Sequence, residues 1–121
     1  MFRGHDVRAL ANLILDECDK SGIEISNLQL NKVLYFMHVD WMREFSEPLV
    51  SAKIEAWKYG PVFREIFNQF KDHGRQIIKR RATKVDYDTG EKVIAKLTLD
   101  GSKKNFAHDL ARFYSGIPAG L

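Results

Sequence analysis

The side chains with chemistry to offer are few and far apart. Four histidines, His5, His38, His73 and His108, have no ligand spacing between them, and Cys18 alone cannot build a thiolate zinc site. The chain has no Gly-rich phosphate loop, no Gly-x-Ser-x-Gly elbow and no defensible Ser, His and Asp set. Glu55 and Glu65 have no visible mate. Cys18 falls on an apolar helical stripe, where a thiol is a small core residue and not a nucleophile. These residues point away from catalysis: no enzymatic activity, no metal and no cofactor are expected.

Two charged features remain. Gly60-Pro61, with Lys58 before it and Arg64 after it, suits a helix start, whose free N–H groups can hold an anion. Every helix has such an end, so this signal is weak. Arg75, Lys79, Arg80, Arg81 and Lys84 form the most basic run in the chain. One reading is an edge strand guarded by charge against mispairing. The other is a wing on a phosphate backbone, in an element order like a winged helix-turn-helix with Val62–Phe70 as the reading helix. The outer face of that helix offers Arg64, Glu65, Asn68, Gln69 and Lys71, which is little positive charge for DNA.

The elements that must position these residues follow from periodicity. A first helix is predicted from Asp6 to about Lys20, with Asp6 as N-cap, a stripe of Val7, Leu10, Ile14 and Cys18, and Gly22 as left-handed C-cap. Ser26-Asn27-Leu28-Gln29 is a capping box, and Ile25 and Leu30 stand as a hydrophobic staple. The helix it starts runs to about Glu44 on a stripe of Leu30, Leu34, Met37 and Trp41, with Pro48 as a stop. Apolar over so much of its circumference, it reads as the central helix.

Ile54 to Phe70 is the stretch around which the rest is organised. It reads as a short strand, a break at Gly60-Pro61, and a helix with Pro61 in its first position and Val62, Ile66 and Phe70 at i, i+4, i+8. The helix should end near His73-Gly74. Gly60 and Pro61 are thus the expected structural hub. Two strands follow around Asp88-Thr89-Gly90, a loop suited to a left-handed Gly. Val93, Ala95, Leu97 and Leu99 share one face of the second. Asp100 caps a last helix with Phe106, Leu110 and Phe113 inward, ended by Gly116 and Pro118.

The expected fold is α+β and mainly α: four main helices and one small antiparallel sheet joining the Lys79–Leu99 hairpin to the Ile54–Tyr59 strand. With 121 residues, 45% hydrophobic and 29% charged, the chain reads as a single domain, residues 1–121, with a core of its own. A net charge of +3 permits nucleic-acid contact without demanding it. A single cysteine, no apolar leader after Met1 and no long apolar run suggest a cytoplasmic protein with no membrane partner.

Asp6-Val7-Arg8-Ala9-Leu10-Ala11-Asn12-Leu13-Ile14-Leu15 opens a block of motifs that extends over about the first 70 residues. It continues with Ile25-Ser26-Asn27-Leu28-Gln29-Leu30-Asn31-Lys32-Val33-Leu34-Tyr35-Phe36, Pro48-Leu49 and Ile54-Glu55-Ala56-Trp57-Lys58-Tyr59-Gly60-Pro61-Val62. In order and spacing this resembles the Panacea domain family of SocA-like, GepA-like, phage-associated proteins. The sequence departs from the family pattern at Gln29 and Asn31, where the family has Lys and Gln, a change read as lying on the polar side of the second helix. Members usually continue into a further C-terminal helical segment, so this domain is expected to be short at that end.

The resemblance implies an antitoxin. Panacea domains are encoded beside diverse toxins and neutralise them by direct contact, some as adaptors for a chaperone or protease. The expected partners are therefore a cognate toxin and a cellular protease or chaperone. Within that role Trp57, Tyr59, Tyr35 and Arg64 are the candidates for the toxin face, because Trp, Tyr and Arg are the usual interface anchors. Trp57 is the one of the four for which core packing competes most strongly. A DNA-binding regulator using Arg75, Lys79, Arg80, Arg81 and Lys84 is the alternative.

Overall fold

The structure, a computed structural model, describes residues 3–99 and 101–117. Helix α1 spans Val7–Ser21, with the Asp6 carboxylate accepting from the Arg8 amide at 2.9 Å and Gly22 left-handed at φ 68°. Helix α2 spans Asn27–Phe45 behind the expected capping box, Ser26 N–H donating to Gln29 Oε1 at 2.9 Å and Gln29 N–H to Ser26 Oγ at 3.4 Å. Leu30, Leu34, Met37 and Trp41 are fully buried, so α2 is central as predicted. Helix α4, Gly101–Ser115, packs across both α1 and α2. The expected Asp100 cap and Pro118 stop lie outside the described residues.

The hub folds differently from its reading. Gly60–Phe63 is not the start of a helix but a strand, β2, paired antiparallel with β1, Ile54–Trp57, in the register Ile54 to Phe63 and Trp57 to Gly60. Lys58-Tyr59 makes the turn, and helix α3 begins only at Arg64, running to Phe70 before one 3-10 turn, Lys71–His73. Pro61 fits an edge strand because its missing N–H faces away from β1. The Phe63 amide faces the same way and donates to Asn31 Oδ1 at 2.8 Å. Neither turn residue has positive φ, so the reversal falls on Gly60, at φ 121°. A Cβ there would meet nothing within 4 Å. Gly60→Val should therefore cost only backbone strain, about 1–3 kcal/mol, read as a lower urea midpoint at unchanged slope.

The second hairpin is shorter than its sequence suggests. Its strands are β3, Thr83–Val85, and β4, Lys92–Ile94, joined through a left-handed Gly90 at φ 74°. The two hairpins form separate two-stranded sheets, not the single sheet expected, because β1 pairs with β2 and leaves the second hairpin alone. Residues 75–81 form no ladder with the second strand; Ile78 instead donates its amide to Ile25 O at 2.9 Å. The ladder ends on one direct bond, from the Ala95 amide to Ala82 O at 3.1 Å, beyond which the pairing passes to Asn12. Its carboxamide sits between Ala82 and Ala95, accepting from Ala82 N–H at 2.7 Å and donating to Ala82 O at 2.9 Å and Ala95 O at 2.8 Å.

Two further expectations are corrected by packing. Phe113 is 65% exposed, while Ala107 and Ala111 are fully buried, so α4 is rotated from the expected stripe. The small alanines let its backbone approach α1 closely, and Phe106, Leu110 and Tyr114 flank that contact. Asn31 is likewise fully buried and not on a polar side, because its amide satisfies the Phe63 N–H and Asn27. At the N-terminus Gly4 runs so close to Val50 that a Cβ would stand 2.4 Å from the Val50 carbonyl carbon.

A buried ion cluster locks α4 to α1. Glu17, with a side chain 5% exposed, accepts from His108 Nδ1 at 2.6 Å and faces Arg112 Nε at 3.5 Å. Burial alone would raise its pKa, but the His108 hydrogen bond and the attraction of His108, Arg112 and Lys20 hold it below the usual carboxylate range. A carboxyl lowered on folding stabilises the fold above its unfolded pKa, and that contribution is lost as pH falls through the folded value. Melting temperature is expected to fall on acidification below about pH 4.5, with Glu17→Gln flattening that limb of the profile.

Candidate partner-binding groove

Beside α2 the surface opens into a groove of about 780 Å³. One wall is the outer face of α2, with Leu28, Lys32 and Phe36 at i, i+4, i+8. The other is the end of α4 at Tyr114 together with Ile117 just past it. Tyr59, on the β1–β2 turn, also lines it. At 100° per residue the row Leu28, Lys32, Phe36 stands about 180° from the buried stripe of α2, so this helix is apolar on two opposite faces. Leu28, Phe36, Tyr59 and Ile117 are all exposed, Tyr59 by 67%.

The far wall is fixed by hydrogen bonding as well as packing. The Tyr114 ring stacks on Phe36 with centroids 5.4 Å apart, and its hydroxyl donates to Asp40 at 2.5 Å. Burial first, then the Asp40 carboxylate, pushes that phenol up to about 12. Tyr114 is therefore protonated across the physiological range and can keep α4 pinned to α2.

The residues nominated as a toxin face do not form one site. Tyr59 alone of the four lines the groove. Tyr35 is half-buried, packed on the core and edge-to-face with Phe36 at 5.8 Å. Trp57 is half-buried against Phe67 at 4.7 Å and donates to Glu55 Oε1 at 3.1 Å. Arg64 donates to both Glu55 oxygens, at 2.6 and 2.9 Å. Glu55 is thus not the unmated carboxylate it seemed. Arg64 and then Trp57 pull its pKa down to about 2. Glu65 likewise has Arg8, at 3.2 Å.

With no helix beginning at Gly60-Pro61, the anion-binding reading of that turn falls. In the basic run, Arg81 pairs with Asp16 at 2.9 Å and with Asp19. Arg80 bonds Asp72 at 2.9 Å and the Gln69 carbonyl, and lies over the Phe70 ring. Arg75, Lys79 and Lys84 are exposed, and only Lys84 lies on a strand, so the guarded-edge reading is corrected as well. Both arginines are engaged in folding the loop onto α1 and α3, where chain geometry and not sequence run length decides which charges stay free.

Among the described residues no group of three His, Cys, Asp or Glu is placed to hold a metal ion, and no helix is long and apolar enough to cross a membrane. Leu28, Phe36, Tyr114 and Ile117 went unnominated in the sequence. The signal available was the excess apolar circumference of the second helix, which read as deeper burial and in fact marks an uncovered face.

Residues 30–110 match the family described as antitoxin SocA-like, Panacea domain. A curated protein named Antitoxin SocA, from Caulobacter vibrioides (strain NA1000 / CB15N), is 43% identical over 89 residues, which is 74% of this chain and 47% of that protein. The chain belongs to the SocA-like Panacea family. It spans about half the length of this relative. No solved structure matches it.

The Panacea match reaches from α2 through both hairpins into α4, well beyond the motifs that end at Val62, while the Asp6–Leu15 block lies outside it. It takes in Lys32, Phe36 and Tyr59 of the groove. The Ala56-Trp57-Lys58-Tyr59-Gly60-Pro61-Val62 block of this Panacea domain now has a physical meaning. Trp57 and Gly60 close the β1–β2 hairpin, Gly60 carries the reversal, Pro61 takes an edge position that needs no N–H, and Tyr59 is left pointing at the groove.

Proposed function

We propose that this chain is an antitoxin domain that neutralises a cognate toxin by direct contact in the cytoplasm, without catalysis, and that the α2–α4 groove is the contact surface. Membership of the SocA-like family supports the role. The observation that carries the choice of surface is the exposure of Leu28, Phe36, Tyr59 and Ile117 around one apolar concavity. Exposed apolar concavities rimmed by polar residues are where proteins take partners. Arg80 and Arg81, which a DNA-binding reading needs, are held by Asp72, Asp16 and Asp19.

The test is co-expression of the chain with each product of the adjoining reading frames, scored by growth. Rescue from one toxic product by wild type, and not by Phe36→Ala with Tyr59→Ala, is the expected result. Rescue of none removes the antitoxin reading. Toxin abundance measured in the rescued cells separates two routes: an unchanged level marks simple blocking, and a falling level marks delivery to a cellular protease.

A further inference from the structure

Lys32 sits in the middle of the apolar wall of the groove, between Leu28 and Phe36. Two lysines among the described residues are half-buried. Lys103 has its carboxylate, Glu47, at 2.7 Å. Lys32 has no carboxylate within ion-pair distance among the described residues, although a partly desolvated ammonium favours one. Glu24 also lines the groove but is exposed, where water solvates it.

The walls also restrict the backbone of an occupant. They are mostly side chains of α2 and the end of α4, joined by the Ile23–Ile25 connection and the Tyr59 turn, and none of the lining residues belongs to a strand. An extended segment laid there would bury N–H and C=O groups with nothing to pair them. A helix brings its own hydrogen bonds, and its side-chain ridges fit the i, i+4, i+8 row that α2 presents. That row is about 12 Å long, two turns of a helix.

We propose, resting on the antitoxin reading above, that the segment of the toxin held by this groove is an amphipathic helix. Its apolar residues at i, i+3 or i+4, and i+7 fill the space between Leu28, Phe36, Tyr59 and Ile117. An Asp or Glu on its flank meets Lys32 and completes the missing ion pair. The acidic residue supplies specificity, and the apolar face supplies most of the affinity.

The test uses the full chain and a displayed library of helical peptides of about 15 residues, so it does not depend on knowing the toxin. Wild type should enrich amphipathic helices carrying an acidic residue at one fixed offset from the apolar row. Their affinity should drop about tenfold or more with Lys32→Glu and with Phe36→Ala, in variants whose melts show a folded protein. Panning against Lys32→Glu should enrich Lys or Arg at that same offset. Enrichment without acid preference, enrichment of extended or Pro-rich sequences, or no enrichment overturns the inference. So does a concentration-dependent dimer that Lys32→Glu dissolves, since the occupant is then a second copy of this chain. The growth assay separates the two levels. Wild type that rescues while Lys32→Glu and Phe36→Ala rescue equally well removes the groove and leaves the antitoxin. Wild type that rescues from no product, beside a positive panning result, removes the antitoxin and leaves a helix-binding groove of another purpose, overturning the toxin as its occupant.

Discussion

Asn12→Ala is expected to lower the free energy of unfolding by about 2–4 kcal/mol, since truncation leaves the buried Ala82 N–H and Ala95 O unpaired at about 1–3 kcal/mol each, partly recovered by relaxation, while Ala82 O keeps the Ala95 N–H. Asn12 lies on α1, 4% exposed, and its one carboxamide answers the Ala82 amide and the carbonyls of Ala82 and Ala95. Those groups belong to the last rung of the β3–β4 hairpin, and the side chain replaces a strand that is not there. Asn12→Asp separates hydrogen bonding from packing. The carboxylate keeps the shape and can still accept from Ala82, but it sets negative charge against two carbonyl oxygens and leaves Ala95 O without a donor. It should therefore be at least as destabilising as alanine near neutral pH and recover on acidification, when the protonated acid regains one donor. Urea melts of both variants across pH measure this. An Asp variant as stable as wild type at pH 7 would show that the carboxamide donors carry no weight in holding the hairpin.

Trp41→Ala should cost about 3–5 kcal/mol by emptying the largest fully buried side chain in the core. The indole is a shared anchor more than a filler. It meets Phe45 at 4.5 Å, Phe106 of α4 at 6.0 Å and His5 of the N-terminal segment edge-on at 6.3 Å. Three parts of the chain distant in sequence therefore lose one common surface. Hydrogen exchange should show the loss first in α4, which has no buried side chain larger than Ala and Ser among its fully inward positions and depends on its neighbours' bulk. Trp41→Phe keeps part of the volume and should recover about half the loss. A Trp41→Ala protein whose α4 amides stay as protected as those of α2 would show that the Glu17–His108 contact, and not the aromatic cluster, holds α4 in place.

How much of this was legible follows from the range of each interaction. Asp6, Gly22 and the Ser26–Gln29 box act within four residues of the helix ends they set, so spacing alone revealed α1 and α2. The stripe of Leu30, Leu34, Met37 and Trp41 is a property of one helix and was equally plain. Gly60 was legible as a break in the pattern, and its φ of 121° is one that no other residue type tolerates so cheaply. The family resemblance added the expectation of an antitoxin, which spacing and composition did not carry.

Contacts between distant segments decided the rest. Pro61 suits the first turn of a helix and an edge strand alike, and only the pairing of β2 with β1 chose between them. Arg80 and Arg81 stand in an unbroken basic run, yet their partners, Asp72, Asp16 and Asp19, come from other elements. Asn12 stands among apolar residues of α1, and its partners lie 70 and 83 residues away. The groove is the same kind of fact. That Leu28, Lys32 and Phe36 share a face follows from helical geometry, but whether a face is covered depends on where the other helices pack. Here α4 is drawn onto α1 by Ala107 and Ala111 and ends at Ser115, so the outer row of α2 stays open to a partner.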